Sequence, residues 1–209
     1  MTFSLHPPAV VVMARWWAEG AVKTRLAASI GQDAAREIYR KLVEKVWADL
    51  TQADIACLLH FTPAQHAEVM ARWLPGAAAY QPQADGDLGQ RMLTALRQAT
   101  SVERPWVAVV GTDAPQMSAA FLLESAKLLD HADAVMTPTL DGGYALLMMK
   151  TVHASLFADI PWSTAQVAAQ TRERATGSGL TLVETKQVRD LDEVADLEAL
   201  QQQGYLAKD

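Results

Sequence analysis

The sequence predicts an α/β protein with a mostly parallel, doubly wound sheet and helices on both faces. Short apolar runs rich in β-branched residues recur along the chain, each too brief to be a helix. Amphipathic segments with apolar residues at three- and four-residue spacing lie between them. No repeat, low-complexity tract or linker interrupts this alternation, which closes into a parallel sheet through right-handed crossovers.

Pro8 to Met13 (Pro-Ala-Val-Val-Val-Met) is the first buried strand. Asp33 to Leu50 is helical, with Ile38, Leu42, Val46 and Leu50 on one stripe and Tyr39, Val43 and Trp47 beside it; Gly31 and Asp33 supply the break and the cap. Ile55 to Phe61 is the second strand and Pro63 to Trp73 a helix. Asp87 to Thr100 is helical, Trp106 to Val110 a buried strand, and Ser118 to Asp130 a helix facing inward through Phe121, Leu122, Ser125 and Leu129. Ala134 to Met136 and Tyr144 to Met149 are strands, Thr164 to Ala175 a helix, and Leu180 to Glu184 a late strand after the turn at Gly177-Ser178-Gly179.

A chain of 209 residues is the size of one domain, expected to run from 1 to 209. Cys57 is the only cysteine, which excludes an intrachain disulfide and a multi-cysteine metal site; in the run Ile55-Ala56-Cys57-Leu58-Leu59 it reads as a small core residue. A net charge of −6 argues against a nucleic-acid surface, though not against one local phosphate pocket. The first residues do not read as a signal peptide and no apolar stretch is long enough for a membrane span, so the expected location is cytoplasmic. Nothing in the sequence sets an oligomeric state.

In a doubly wound sheet ligands bind beyond the carboxyl ends of the strands, so chemistry is sought in the loops that follow them. After the first strand comes Gly20-Ala21-Val22-Lys23-Thr24-Arg25, whose two cations suit phosphate oxygens or, alternatively, a solvated turn. A P-loop is rejected because Val22 stands where glycine must precede the lysine. Gly111-Thr112-Asp113-Ala114-Pro115 places a carboxylate at a strand exit, where Mg²⁺ or Mn²⁺ would accept a hard oxygen ligand; Ser118 is the better cap for the next helix. No cation stands near Asp113 in sequence, which leaves a metal as its expected countercharge. Asp141-Gly142-Gly143-Tyr144 reads either as a close backbone approach or as a hairpin turn. Asp190-Leu191-Asp192 could complete a metal site or simply start the last helix. A fifth segment, Gln83 to Met92, carries glycines at a helix start, where free N–H groups favour an anion; a capped surface turn is the alternative.

Absences narrow the field. There is no Gly-x-Ser-x-Gly elbow and no Gly-x-Gly-x-x-Gly fingerprint, and His6, His60, His66, His131 and His153 lack metal-ligand spacing. Serine hydrolysis and hydride transfer both lose support.

Five segments in order, Val22 to Leu26, Asp87 to Met92, Gly111 to Pro115, Asp141 to Tyr144 and Ile160 to Thr164, resemble DUF2064. That family comprises glycosyltransferase-A-like proteins, radical-SAM/selenodomain-associated transferases among them. The resemblance implies the nucleotide-diphospho-sugar transferase (GT-A) fold and a site for a nucleotide-linked small molecule. It implies phosphate contacts from Lys23 and Arg25, joined in the nucleotide-binding set by Asp87, Arg91 and Thr112. It implies Asp113 as the metal-binding acid, with Asp192 as a second ligand, and a substrate side formed by Asp141, Gly142, Gly143, Tyr144, Trp162, Ser163 and Thr164.

Two segments depart from the family pattern. Arg15-Trp16-Trp17-Ala18-Glu19-Gly20 lacks the family's proline and glycine, and its tryptophans read as packing beneath a loop or, alternatively, as a stacking surface. The late motif reads Asp190-Leu191-Asp192-Glu193-Val194-Ala195-Asp196-Leu197, without the family's Thr-Pro.

The expected activity is metal-dependent transfer from a nucleotide-diphospho-sugar, with a divalent metal and the cations stabilising charge on the departing diphosphate. Asp113 and Asp141 are the catalytic candidates, Asp141 as base for an acceptor hydroxyl. The rivals are a nucleotidyltransferase that releases pyrophosphate and a nucleotide-binding module without turnover.

Overall fold

The computed structural model describes residues 6–207. The reading of the amino terminus as leaderless rests partly on residues 1–5, outside that range. Seven strands form one sheet: β1 (Ala9–Arg15), β2 (Ala56–Thr62), β3 (Ala79–Pro82), β4 (Val107–Gly111), β5 (Ala134–Pro138), β6 (Tyr144–Met149) and β7 (Leu182–Glu184). Their order is β3-β2-β1-β4-β6-β5-β7. Every pairing is parallel except those of β6, which runs antiparallel to both β4 and β5.

The helices are α1 (Thr24–Ile30), α2 (Gln32–Thr51), α3 (Ala67–Trp73), α4 (Leu88–Ala99), α5 (Ala119–Ala126), α6 (Val167–Gly177) and α7 (Val194–Gln202). Alternation along β1 divides the core. Val10, Val12 and Ala14 meet Leu26 of α1, Leu42 and Val46 of α2, Met70 of α3, Leu122 of α5 and Leu200 of α7. Ala9 and Val11 look the other way, toward Met92 and Leu96 of α4 and Ala168 and Ala175 of α6. Successive strand residues point to opposite faces, so a run buried throughout needs helices on both. Each large apolar side chain removed from water contributes on the order of 2 kcal/mol. Cys57 belongs to the first cluster, and burial pushes its thiol up to about 11, as expected of an inert core residue.

Several boundaries differ from expectation for identifiable reasons. Gly31, not Asp33, occupies the N-cap of α2; Asp33 lies in the first turn and faces Arg36 across 3.7 Å. Strand β3 escaped the pattern because Ala-Tyr-Gln-Pro has no apolar run, and its proline is tolerated at the edge of the sheet. The expected helix over 118–130 is α5, capped by Ser118 Oγ accepting from Phe121 N–H at 3.2 Å, followed by a 3₁₀ turn at Lys127–Asp130. Helix α6 begins at Val167 because Thr164 turns the chain just before it, donating to the Pro161 carbonyl and accepting from Gln166 N–H. The tryptophans of the first loop pack: Trp16 lies 5.4 Å from Trp17 and edge-on to Trp73 at 5.5 Å, and Arg40 covers Trp17 at 5.7 Å. No helix among the described residues is long and apolar enough to cross a membrane.

Asp87 begins α4 with a complete capping box: its carboxylate accepts from Gln90 N–H at 2.8 Å while the Gln90 side chain accepts from Asp87 N–H at 3.0 Å. Asp87→Ala is expected to lower stability by about 1 kcal/mol, measured by urea unfolding, with no change in the slope of the transition.

Candidate active site

A cleft of about 890 Å³ runs along the carboxyl edge of the parallel strands. The loop from β1 to α1 forms one wall through Ala21 to Arg25, and the exit of β4 supplies Gly111 to Ala114. Thr139, Asp141, Gly143 and Tyr144 line it with Trp162 to Ala165, as do Asp190 and Asp192. The structure therefore brings Lys23, Arg25, Thr112, Asp113, Asp141, Gly143, Tyr144, Trp162, Ser163, Thr164 and Asp192 to one cavity. Asp87, Arg91 and Gly142 are not on its surface: Asp87 caps α4, and Arg91 Nε donates to the Gly86 carbonyl at 2.9 Å.

The loop holding Asp141 connects β5 to its antiparallel neighbour β6, so the hairpin and close-approach readings both hold. Asp141 Oδ1 accepts from Thr139 Oγ1 at 2.5 Å and from Gly143 N–H at 2.9 Å, which fixes the carboxylate from within its own loop. Gly142 has φ of +91°, and a Cβ there would collide with the Ala165 backbone. Ala168 N–H donates to the Gly142 carbonyl at 2.9 Å, binding the segment after Trp162 to this hairpin. Trp162 lies against Gly89 at the start of α4, where no side chain larger than hydrogen would fit, and meets Tyr144 edge-on at 6.4 Å.

Lys23 is the electrostatic centre. Only 6 % of its side chain is exposed, and its ammonium sits 2.9 Å from Asp113 Oδ1 and 3.1 Å from Asp192 Oδ1. This corrects the expectation that Asp113 has no cationic partner: the partner is 90 positions earlier in the chain, brought in by the parallel pairing of β1 with β4. Burial works against the ammonium, but the charges and hydrogen bonds of Asp113 and Asp192 outweigh it and hold its pKa above the ordinary lysine value. Arg25 differs: 69 % of its side chain is exposed, with only loose approaches of 3.8 Å to Asp192 and 3.9 Å to Glu193.

Asp141, Asp190 and Asp192 offer oxygens that all lie within 4.8 Å of one another; Asp113 is outside this group. Burial, then the nearby charge of Asp141, pushes the Asp190 carboxyl up to about 6. Mutually repelling carboxylates with hard oxygen donors fit Mg²⁺ or Mn²⁺, which neutralises them. The sequence offered Asp190 and Asp192 together as completing a metal site but carried only Asp192 forward as a ligand; both line the cleft. Tyr39 and Gln83 were missed as cleft residues. Tyr39 counted only toward the helix stripe, yet its hydroxyl accepts from Arg15 N–H at 3.1 Å. Gln83 Nε2 donates to the carbonyls of Ala14 and His60 at 3.3 and 3.2 Å.

Comparison with known proteins bears on this geometry. Residues 42–164 match the family described as uncharacterized protein conserved in bacteria, DUF2064. The chain belongs to that family. The match ends before Asp190 and begins after Arg25, so the first loop and the late acidic loop of this DUF2064 protein lie beyond it. No curated protein matches the sequence. Among solved structures, a proposed nucleotide-diphospho-sugar transferase from Desulfovibrio desulfuricans G20 is 27% identical, with 96% of this chain and 89% of that one covered at a TM-score of 0.88. The inositol-1-phosphate CTP transferase of T. maritima is 13% identical (97% and 95% covered, TM-score 0.59). A cytidylyltransferase from Leptospira borgpetersenii is 14% identical (96% and 88% covered, TM-score 0.56). At that identity the last two share the fold. The nucleotide-diphospho-sugar transferase architecture expected of the sequence is thus the one observed.

Asp190 gives this site a pH signature. Its carboxyl ionises near 3.8 when unfolded and at about 6 when folded, so between those values the folded state keeps a proton that the unfolded state has lost. Stability from this group is therefore greatest at low pH and declines as pH rises through that window. NMR titration of the metal-free protein is expected to show a carboxyl titrating at about 6 that is absent in Asp190→Asn. Thermal unfolding at neutral pH is expected to find Asp190→Asn more stable than the parent, because the substitution removes a buried charge.

Proposed function

We propose that this DUF2064 protein is a metal-dependent transferase acting on a nucleotide-linked donor, and that the donor is a nucleotide-diphospho-sugar. The observation that carries the reading is the Asp141–Asp190–Asp192 group lining a cleft that also presents Arg25. A diphosphate would be repelled by those carboxylates alone. A divalent ion held by Asp141, Asp190 and Asp192 would reverse the local sign and stabilise charge on the departing diphosphate.

The chain's own residues would do the rest. Arg25, exposed and loosely held, is free to swing its guanidinium onto phosphate oxygens in a bidentate fork. Asp141, fixed through Oδ1, offers its second oxygen to the cleft. Tyr144 and Trp162 form an apolar wall suited to a sugar face and to keeping water from the reacting carbon. In the reaction the bond from that carbon to the diphosphate breaks as a bond to an acceptor oxygen forms.

The supply of cations favours sugar transfer over nucleotidyl transfer. With Lys23 engaged by two carboxylates, the cleft has Arg15 and Arg25 to offer, a set better matched to a diphosphate than to a triphosphate. The similarity to the Desulfovibrio protein supports the same choice.

Calorimetry with nucleoside diphosphates and nucleotide sugars, with and without Mn²⁺, tests the reading. Nucleotide binding by the parent is expected to require Mn²⁺, and Asp190→Asn to weaken it at least about tenfold, the usual scale for disturbing a metal's ligand shell. Arg25→Lys should weaken nucleotide binding while leaving Mn²⁺ affinity unchanged, since it retains charge but loses the fork. Nucleotide binding indifferent to Mn²⁺ would sink the metal-dependent mechanism. Pyrophosphate released from a nucleoside triphosphate would replace sugar transfer with nucleotidyl transfer.

A further inference from the structure

The three carboxylates of the acidic group are not held alike. Asp141 is fixed inside its own hairpin by Thr139 and Gly143. The backbone of the 190–192 loop is tied to its neighbours: Leu191 N–H donates to the Asp113 carbonyl at 2.9 Å, and Asp192 N–H to Asp196 Oδ2 at 3.1 Å. Asp196 is itself gripped by Arg189 at 2.7 Å and completes the capping box of α7. The side chain of Asp192 accepts a hydrogen bond from Lys23, 169 positions away, while Arg25 comes no nearer than 3.8 Å. Lys23 is held in turn: its ammonium is fixed by Asp113, and its backbone sits in the left-handed region at φ 48°, between the buried residues Val22 and Leu26. That conformation is unfavourable for a residue with a side chain and persists where surrounding contacts impose it.

We infer that Lys23 is a positioning residue: it orients Asp192 Oδ2 toward the cation shared with Asp141 and Asp190, while its own ammonium stays on Asp113 and Asp192. This rests on the metal reading above and deepens it, because it divides labour between the two cations of the first loop. Arg25 meets the substrate, and Lys23 builds the site that the substrate's countercharge occupies.

The sign of one measurement decides between positioning and mere proximity. A buried ammonium beside a bound Mn²⁺ repels it, so if Lys23 were only a neighbouring charge, its removal would tighten Mn²⁺ binding. If Lys23 positions Asp192, its removal loosens Mn²⁺ binding despite the lost repulsion. The test is Mn²⁺ titration without nucleotide, by calorimetry and by electron paramagnetic resonance of free Mn²⁺. Lys23→Met, which keeps the length of the side chain, is expected to weaken Mn²⁺ binding about tenfold, the scale at which residues supporting metal ligands act. Lys23→Arg is expected to recover most of that loss. Lys23→Asn, which tolerates the left-handed backbone, guards against a folding artefact and should weaken Mn²⁺ binding as Lys23→Met does. Equal or tighter Mn²⁺ binding by Lys23→Met and Lys23→Asn, in a protein whose parent binds Mn²⁺, overturns the positioning role and leaves the metal reading standing. A parent protein that binds no Mn²⁺ overturns both.

Discussion

A single buried ammonium gathers the carboxylates at the cleft edge of this molecule. Lys23 comes from the first strand-end loop, Asp113 from the loop after β4, and Asp192 from the loop leading into α7. The first two loops leave adjacent parallel strands, the third is tied to the second by Leu191 N–H donating to the Asp113 carbonyl, and their side chains converge on one nitrogen. The arrangement tolerates two carboxylates in a crowded space because each is neutralised by a shared partner and each retains contact with water. Remove the cation, and Asp113 and Asp192 lose the charge they share, leaving only the loose approach of Arg25 to Asp192 at 3.8 Å.

What the sequence revealed follows from where the information resides. Hydrophobic periodicity located six of the seven strands, because buried strands must be apolar on both faces. It passed over β3, an edge strand whose half-buried Ala-Tyr-Gln-Pro carries no such requirement. Reading loops at strand ends brought most of the right side chains to one cavity, Lys23, Asp113, Asp141 and Asp192 included. It did not reveal that Lys23 would be consumed by Asp113 and Asp192, since an ion pair between positions so far apart leaves no local trace. Asp87 shows the complementary limit: as a residue type it suits either a cap or a ligand site, and its reciprocal bonds with Gln90 become visible only in three dimensions.

The reversed strand β6 delivers Asp141 to the cleft. Had β6 been parallel, its amino-terminal loop would lie at the opposite edge of the sheet, away from Asp113 and Asp192. Running antiparallel between β4 and β5, it starts where they end, so a short hairpin places Asp141 beside residues reached by much longer crossovers. The carboxylate held most locally is thus set against the one held from the far end of the chain.

The attachment of Trp162's segment to that hairpin runs through backbone. The Gly142 carbonyl receives Ala168 N–H, and the glycine leaves room for the Ala165 main chain. This link does not involve the side chain of Trp162, whereas Thr164 turns the chain ahead of α6 through its own hydroxyl. Substitution at Trp162 could therefore change the chemistry of the wall while the carboxylates opposite keep their geometry. Such a division between a charge-handling side and a wall open to change at one position would let one scaffold meet a different sugar in few mutational steps.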